Sequence, residues 1–133
     1  MMEPPSREGL VRGEIADYYL DDSGILYAFS KPLRRTVDLI AANAELVRRI
    51  SGGKPVPLLI YLSRSPVPDQ ATRAFSRKML PEIYTAMAMV SEPGLSQLIM
   101  KVLFRFSRPA IPMRSFSDDE AARAWLLSYV PDT

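Results

Sequence analysis

Two clusters of acidic residues could do chemistry, because neighbouring carboxylates are the groups that hold hard cations such as calcium. Asp21-Asp22 lies between two β-prone runs, and Asp118-Asp119-Glu120 lies at the start of a predicted helix. Aspartate is also common in turns and at helix N-termini, where its side chain accepts hydrogen bonds from backbone N–H groups. Turn formation and helix capping explain both clusters, so no metal site is predicted.

Histidine and cysteine are both absent from the chain. Their absence excludes disulfides, thiolate nucleophiles, Ser-His dyads and ordinary zinc sites. The sequence also has no Gly-rich phosphate-binding loop, and its carboxylates have no spacing that defines an acid–base pair. The sequence therefore predicts a protein that is not an enzyme and that carries no cofactor; an enzyme that uses carboxylates alone is the least favoured alternative.

The basic residues between positions 64 and 77 form a second candidate site. Asp69 is the predicted N-cap of a short helix that follows a central strand, and Arg73 and Arg77 lie four residues apart on one face of it. Ligands favour the carboxyl ends of such strands, and helix N-termini attract anions. With Arg64, these residues could hold an acidic peptide or another anion. In the alternative, Asp69 only caps the helix and the arginines are solvated, which is ordinary for an exposed helix face.

The third predicted helix presents Met100 and Phe104 one turn apart. Its apolar stripe centres on Leu95, Val102 and Phe106, which turns Met100 and Phe104 away from the core. An exposed Met–Phe pair suggests a protein-contact surface, such as a homodimer interface. The alternatives are that the helix lies under another element, that the exposed pair has no function, or that a hydrophobic ligand binds between this helix and the next.

Composition predicts one domain of ordinary size. The chain has 133 residues, of which 47% are hydrophobic. Residues 1–13 are predicted to be a flexible tail, and residues 14–131 to form the domain. A formal net charge of +2 gives no reason to expect nucleic acid as a partner. No apolar run approaches the ~20 residues that span a bilayer, and no secretion signal is evident, so a cytoplasmic location is predicted.

Hydrophobic patterning in the first half of the chain predicts a hairpin, a helix and a strand. Glu14–Leu20 and Ile25–Phe29 are β-prone runs that join through the turn Asp21–Gly24. A helix is predicted over Thr36–Ser51. Val56–Leu62 is almost continuously apolar, which is typical of a buried central strand.

The second half alternates helices and strands. The helix after Asp69 is predicted to end at Pro81, and Glu82–Ser91 and a run ending near Phe116 are predicted strands. Ser117 and Glu120 match a capping box that opens the last helix. Strands separated by helices pair mostly in parallel. The predicted fold class is therefore α/β, with a five-stranded mixed sheet and four helices.

These features together resemble the STAS family of anti-sigma-factor-antagonist-like domains, and most closely its divergent bacterial members of unassigned function. Besides element order, the resemblance rests on Gly52-Gly53-Lys54 before an apolar strand and on the ending Phe116–Leu126. That ending is similar to a Phe-x-x-x-x-x-Ala-x-x-Trp-Leu pattern. The resemblance covers residues 14–130 and implies a SpoIIAA-like fold with a regulatory, protein-binding role.

The regulatory serine of this family lies in an Asp-Ser-Ser-Gly motif at the start of the second helix, after a Leu-Ser pair. Leu62-Ser63 matches that pair, and Asp69 matches the acid of the motif. Gln70 stands where the phosphorylated serine would be, and Ala71-Thr72 replaces Ser-Gly. Because Gln70 has no hydroxyl, the resemblance implies a binding module without the phosphorylation switch.

Two functions follow as expectations. The first is a non-enzymatic module that binds a protein partner or a second copy of itself. Its predicted partner-binding residues are Arg64, Asp69, Gln70, Thr72, Arg73, Arg77, Met100 and Phe104. The alternative is an α/β domain that binds a small hydrophobic molecule or lipid in an apolar pocket, by analogy with lipid-binding domains of STAS-like topology.

Overall fold

The fold is an α/β arrangement in which one mixed sheet carries helices on both faces. The computed structural model describes residues 9–104 and 109–131, without the side chains at positions 103 and 104. The strands are β1 (Val11–Arg12), β2 (Ala16–Leu20), β3 (Leu26–Ser30), β4 (Val56–Tyr61), β5 (Tyr84–Val90) and β6 (Met113–Phe116). The helices are α1 (Val37–Ser51), α2 (Gln70–Ile83), α3 (Leu95–Phe104) and α4 (Asp119–Leu126), and a 3-10 turn, Leu127–Tyr129, follows α4.

The strands lie side by side in chain order, from β1 to β6. The first three pair antiparallel, and β3, β4, β5 and β6 pair in parallel. Each parallel step passes through one helix in the same direction across the sheet. Right-handed crossovers therefore place α1, α2 and α3 on one face, and α4 covers the other face. This confirms the predicted α/β class and the STAS-like arrangement.

The sheet has six strands in the described part of the chain, rather than the five predicted. The additional strand, β1, falls within the segment predicted to be a tail, and Val11 pairs with Tyr18 of β2. Val11 and Arg12 are both exposed. Two exposed residues give no hydrophobic periodicity, so the strand is defined by its hydrogen bonds to β2 rather than by its sequence.

The predicted end of α2 at Pro81 is wrong, because the helix continues to Ile83. Proline removes one intrahelical hydrogen bond, but the N–H of Tyr84 still donates to the carbonyl oxygen of Leu80. Ile83 is only 6% exposed and packs in the core. Burial of this side chain therefore holds the last turn in helical form.

The ends of the other helices follow ordinary capping rules. Thr36 caps α1 as its side chain accepts from the N–H of Leu39, and Gly52 ends that helix with a φ of 72°. The predicted Ser117 capping box is wrong. Asp118 is the N-cap of α4 instead, and its carboxylate accepts from the N–H of Ala121 at 2.8 Å. Aspartate is as good a cap as serine and also favours the positive end of the helix dipole.

The two faces of the sheet bury separate hydrophobic clusters. On the α1–α2 face, Leu58 packs with Ala44 and Val47 of α1. On the α4 face, Leu59 packs with Leu126. Successive residues of β4 point to opposite faces, and both faces are covered. This explains why β4 is apolar at nearly every position.

Candidate functional site

An apolar cavity of about 380 Å³ lies on the face of the sheet that carries α1, α2 and α3. Its walls are mainly aliphatic and thioether side chains from the strands and helices, among them Ile15, Leu58, Ile60, Met79, Met87 and Ile99. This volume falls in the range of about 300–1,000 Å³ that is typical of small-molecule sites. The cavity is therefore large enough for a small ligand, and its mainly apolar walls match an apolar one.

One wall of the cavity is α3. Leu95 is 7% exposed, whereas Leu98 is 53% exposed. Met100 is partly buried and lines the cavity. The sequence-based helical phase, which turned Met100 away from the core, is therefore wrong. The side chain of Phe104, the other half of the predicted contact pair, lies outside the described residues.

The cavity opens beside the loop that joins β4 to α2. Val67 in this loop is 54% exposed, and Leu98 on α3 is 53% exposed, and both line the cavity. Both are among the large apolar side chains that the described part of the chain leaves exposed. Exposed apolar side chains from this loop and from α3 thus border the mouth of the cavity.

Arg35 lies at the polar end of the cavity and connects three segments of the chain. Its Nη1 donates to the carbonyl oxygens of Lys31 and Leu33, each at 2.7 Å, and to Ser65 Oγ at 2.9 Å. Its Nη2 donates to the carbonyl oxygen of Ile15 at 3.0 Å and to Ser30 Oγ at 2.8 Å. Burial lowers the pKa of the Arg35 guanidinium, but arginine stays charged in proteins.

Three serine hydroxyls continue from this guanidinium along the cavity wall. Ser30 Oγ lies 2.9 Å from Ser63 Oγ, which lies 3.3 Å from Ser65 Oγ. Phe29 and Tyr61 are paired in register in the parallel strands β3 and β4. The ends of these two strands therefore bring Ser30, Ser63 and Ser65 together, although they are distant in sequence.

A second polar group lies deeper in the same cavity. The Tyr18 hydroxyl donates to Asn43 Oδ1 at 2.7 Å and is also hydrogen-bonded to the Tyr84 hydroxyl. Burial raises the pKa of both Tyr18 and Tyr84. Both phenols are therefore neutral near pH 7 and can act as hydrogen-bond donors and acceptors but not as charges.

The predicted partner-binding residues around α2 differ in accessibility. Asp69 caps α2 through the N–H of Thr72 at 2.8 Å, and this bond holds the pKa of the Asp69 carboxyl below its usual value. Gln70 is exposed in the first turn. Thr72 is only 2% exposed, so its side chain faces the interior of the domain.

The predicted arginines make separate interactions. Arg64 is exposed and forms an ion pair with Glu92 at 3.1 Å. Arg73 Nη1 donates to the carbonyl oxygen of Pro68 at 2.6 Å. Arg77 is partly buried on the same helix. Arg64 lines the cavity, and the partners of Arg64 and Arg73 lie on different segments of the chain.

The acidic clusters lie on opposite sides of a polar groove of about 460 Å³ on the α4 face. Arg123 Nη1 donates to Asp21 Oδ2 at 3.1 Å and to the Tyr27 hydroxyl at 2.8 Å. The Tyr61 hydroxyl donates to Asp119 Oδ2 at 3.3 Å, and burial together with this carboxylate raises the pKa of Tyr61. Asp21 and Asp119, one carboxylate from each cluster, are therefore paired with side chains. Within residues 9–104 and 109–131, no group of three or more His, Cys, Asp or Glu residues is placed to hold a metal ion.

Sequence reasoning missed Arg35 and its serines. Arg34 and Arg35 are adjacent and identical in type, and no motif distinguishes them. The one available signal was the Leu62-Ser63 pair, whose serine follows the central strand β4 and lines the cavity.

The fold defines a SpoIIAA-like domain. It is similar to the crystal structure of an uncharacterized protein of the DUF3478 family from Shewanella loihica PV-4, described as having a SpoIIAA-like fold. The TM-score is 0.54 at 16% sequence identity, and the match covers 89% of this chain and 90% of that one. The chain belongs to the family described as Domain of unknown function (DUF7793), which matches residues 18–130. A comparison with curated proteins gave no match.

No helix in the described part of the chain has both the length and the apolar character needed to cross a membrane.

Proposed function

We propose that this chain is a non-enzymatic binding domain that holds a small apolar molecule in the cavity beneath α3. The observation that carries the proposal is the cavity itself, with its volume of about 380 Å³ and its mainly apolar walls. Most natural ligand sites combine such walls with a few polar groups that orient the ligand. Arg35 and the Tyr18–Asn43 pair supply those groups here.

The polar groups of the cavity support binding rather than catalysis. The chain has no His or Cys. Within residues 9–104 and 109–131, the hydrogen bonds of the Ser30, Ser63 and Ser65 hydroxyls go to one another, to Arg35 and to the Lys31 carbonyl oxygen, none of which takes up a proton near pH 7. A nucleophilic serine requires such a base within hydrogen-bond reach. The absence of turnover and the predicted cytoplasmic location are part of this proposal and rest on the sequence.

Filling the cavity should prevent ligand binding. Ser76 lies on α2 and lines the cavity. The variant Ser76→Phe places a ring in the space that a ligand would occupy, so we expect affinity for the neutral dye phenylnaphthylamine to fall by about tenfold or more, which corresponds to roughly 1.4 kcal/mol. A fluorescence titration measures this change.

The matched control is Ala74→Phe, which adds a phenyl ring at an exposed position of the same helix. Its dye affinity should equal that of the wild type. Equal affinity in all three proteins would show that the dye binds elsewhere, and an absence of binding to the wild type would remove the support for an apolar ligand.

A protein partner is the second candidate function, and the exposed side chains of Val67 and Leu98 at the cavity mouth favour it. Val67 lies three residues before Gln70, which occupies the position of the regulatory serine in the resemblance described above. In this proposal the domain binds a protein partner, or a second copy of itself, through the cavity mouth and without control by phosphorylation. Exposed apolar side chains grouped at one place are a common mark of such surfaces.

The variant Leu98→Asp tests this second candidate. A partner that contacts the cavity mouth should be recovered from a lysate by the wild type and lost by Leu98→Asp, because a carboxylate is costly to bury in an apolar interface. Leu127→Asp is the control, since Leu127 has a similar exposure of 47% but follows α4. Equal recovery by both variants would exclude the cavity mouth as the contact surface.

A further inference from the structure

The polar end of the cavity contains a positive charge without a carboxylate partner among the described residues. The five hydrogen bonds from Arg35 all go to neutral acceptors, three carbonyl oxygens and two hydroxyls. None of the ion pairs within residues 9–104 and 109–131 includes Arg35. A partly buried charge that lacks a counter-ion attracts an anion strongly, since the surrounding dielectric is low.

The neighbouring cations are already balanced. Lys31 Nζ lies 3.0 Å from Asp17 Oδ1, and Arg64 lies 3.1 Å from Glu92. The charge of Arg73 acts on Asp69 at the start of α2. Among the described residues that line the cavity, Arg35 is therefore the cation that has no carboxylate partner.

The serine network can release one hydrogen toward a ligand at small cost. Ser65 Oγ donates to the Lys31 carbonyl oxygen over 3.3 Å, but that oxygen already accepts a shorter bond from Arg35 at 2.7 Å. Ser65 can instead donate to Ser63, 3.3 Å away, while Ser30 retains its contact with Ser63 at 2.9 Å. The Ser63 hydroxyl hydrogen is then available to the cavity, and Arg35 polarises the chain of hydroxyls that ends there.

We infer that the ligand is an amphipathic carboxylate, such as a medium-chain aliphatic acid, whose head group accepts from Ser63 beside Arg35 and whose tail fills the apolar cavity. This inference rests on the proposed binding of an apolar molecule. A carboxylate carries one negative charge and so matches the single unbalanced guanidinium. The aliphatic tail matches the walls formed by Leu58, Ile60 and Met87.

The test compares three ligands of equal tail length on the full chain by calorimetric titration: decanoate, decanol and decyltrimethylammonium, each below its aggregation concentration. We expect decanoate to bind about tenfold or more tightly than decanol, because a hydrogen bond to a charged group is roughly twice as strong as a neutral one and the carboxylate also lies beside the charge of Arg35. The ammonium ligand should bind most weakly, because its charge has the sign of Arg35.

Decanol binding as tight as decanoate would overturn the carboxylate inference and leave the apolar-ligand proposal intact. If none of the three ligands bound, both the carboxylate inference and the apolar-ligand proposal would fail. The variant Ser63→Ala should weaken decanoate binding about fivefold and leave decanol binding unchanged. Ser128→Ala, which removes a hydroxyl bonded to the Trp125 carbonyl oxygen far from the cavity, should change neither. Equal decanoate affinity in Ser63→Ala and the wild type would remove Ser63 from the head-group site.

Discussion

Replacing Leu126 with alanine should lower the free energy of unfolding by about 2–5 kcal/mol, the range for truncating a large buried aliphatic side chain. Leu126 is 0% exposed and packs against Ile25, Leu59 and Ala88 on the α4 face of the sheet. The truncation leaves a cavity between α4 and the sheet. Because domains of this size are stable by about 5–15 kcal/mol in total, the loss is large. Urea unfolding, followed by circular dichroism, measures it.

The control for this prediction is Leu127→Ala, at the next position. Leu127 is 47% exposed, so its truncation should change stability by no more than about 0.5 kcal/mol. A similar loss in both variants would mean that α4 does not pack on the sheet through Leu126. A loss confined to Leu126 would support the phase of α4 and, with it, the placement of Arg123 in the polar groove.

The features that the sequence could predict are those with local causes. Thr36 and Asp69 cap the two long helices, as their positions before apolar stripes indicate. The continuous apolar run of β4 predicts a strand covered on both faces. These local cues, repeated in chain order, are sufficient for the α/β class and for the resemblance to STAS domains.

The cavity could not be predicted in this way because it depends on the distance between α3 and the sheet. Hydrophobic periodicity reports which side chains are apolar but not whether the space between two elements is filled. In α3 the apolar residues surround the helix, so the direction of its buried face is poorly defined by pattern alone. The phase prediction therefore failed at Met100.

The polar end of the cavity depends on tertiary structure even more. Ser30 and Ser63 follow neighbouring parallel strands, and their contact of 2.9 Å arises only from strand order and register. Arg35 differs from Arg34 only in the direction its side chain takes. Arg34 is exposed and donates one described hydrogen bond, to the Val67 carbonyl oxygen at 3.1 Å. The inward turn of Arg35 follows from the acceptors that the folded chain places around it.

Replacing Arg35 with methionine should lower the free energy of unfolding by about 3 kcal/mol. Methionine keeps a long apolar stem but removes all five hydrogen bonds, and bonds from charged donors contribute about 1.5–3 kcal/mol each before losses are shared among them. The acceptors belong to three segments: the residue before β2, the β3–α1 connection and the β4–α2 loop. Because the mouth of the cavity is open to solvent, water can pair some of these acceptors, so the total is far below the sum of five bonds. Urea unfolding measures this loss in the free energy of unfolding.

Arg34→Met is the matched control. Because the Arg34 side chain is exposed, this variant should change the free energy of unfolding by no more than about 0.5 kcal/mol. The free energy of unfolding of Arg35→Lys should lie between those of Arg35→Met and Arg34→Met. An ammonium has three donors but cannot reproduce the planar fork of the guanidinium. If Arg35→Met were as stable as Arg34→Met, the hydrogen bonds of Arg35 would have no net structural role. If Arg35→Lys were as unstable as Arg35→Met, the geometry of the fork rather than the charge would hold the three segments together. In that case the lysine variant would retain the cavity's positive charge while losing its orientation, and the charge of Arg35 could be separated from its structural role.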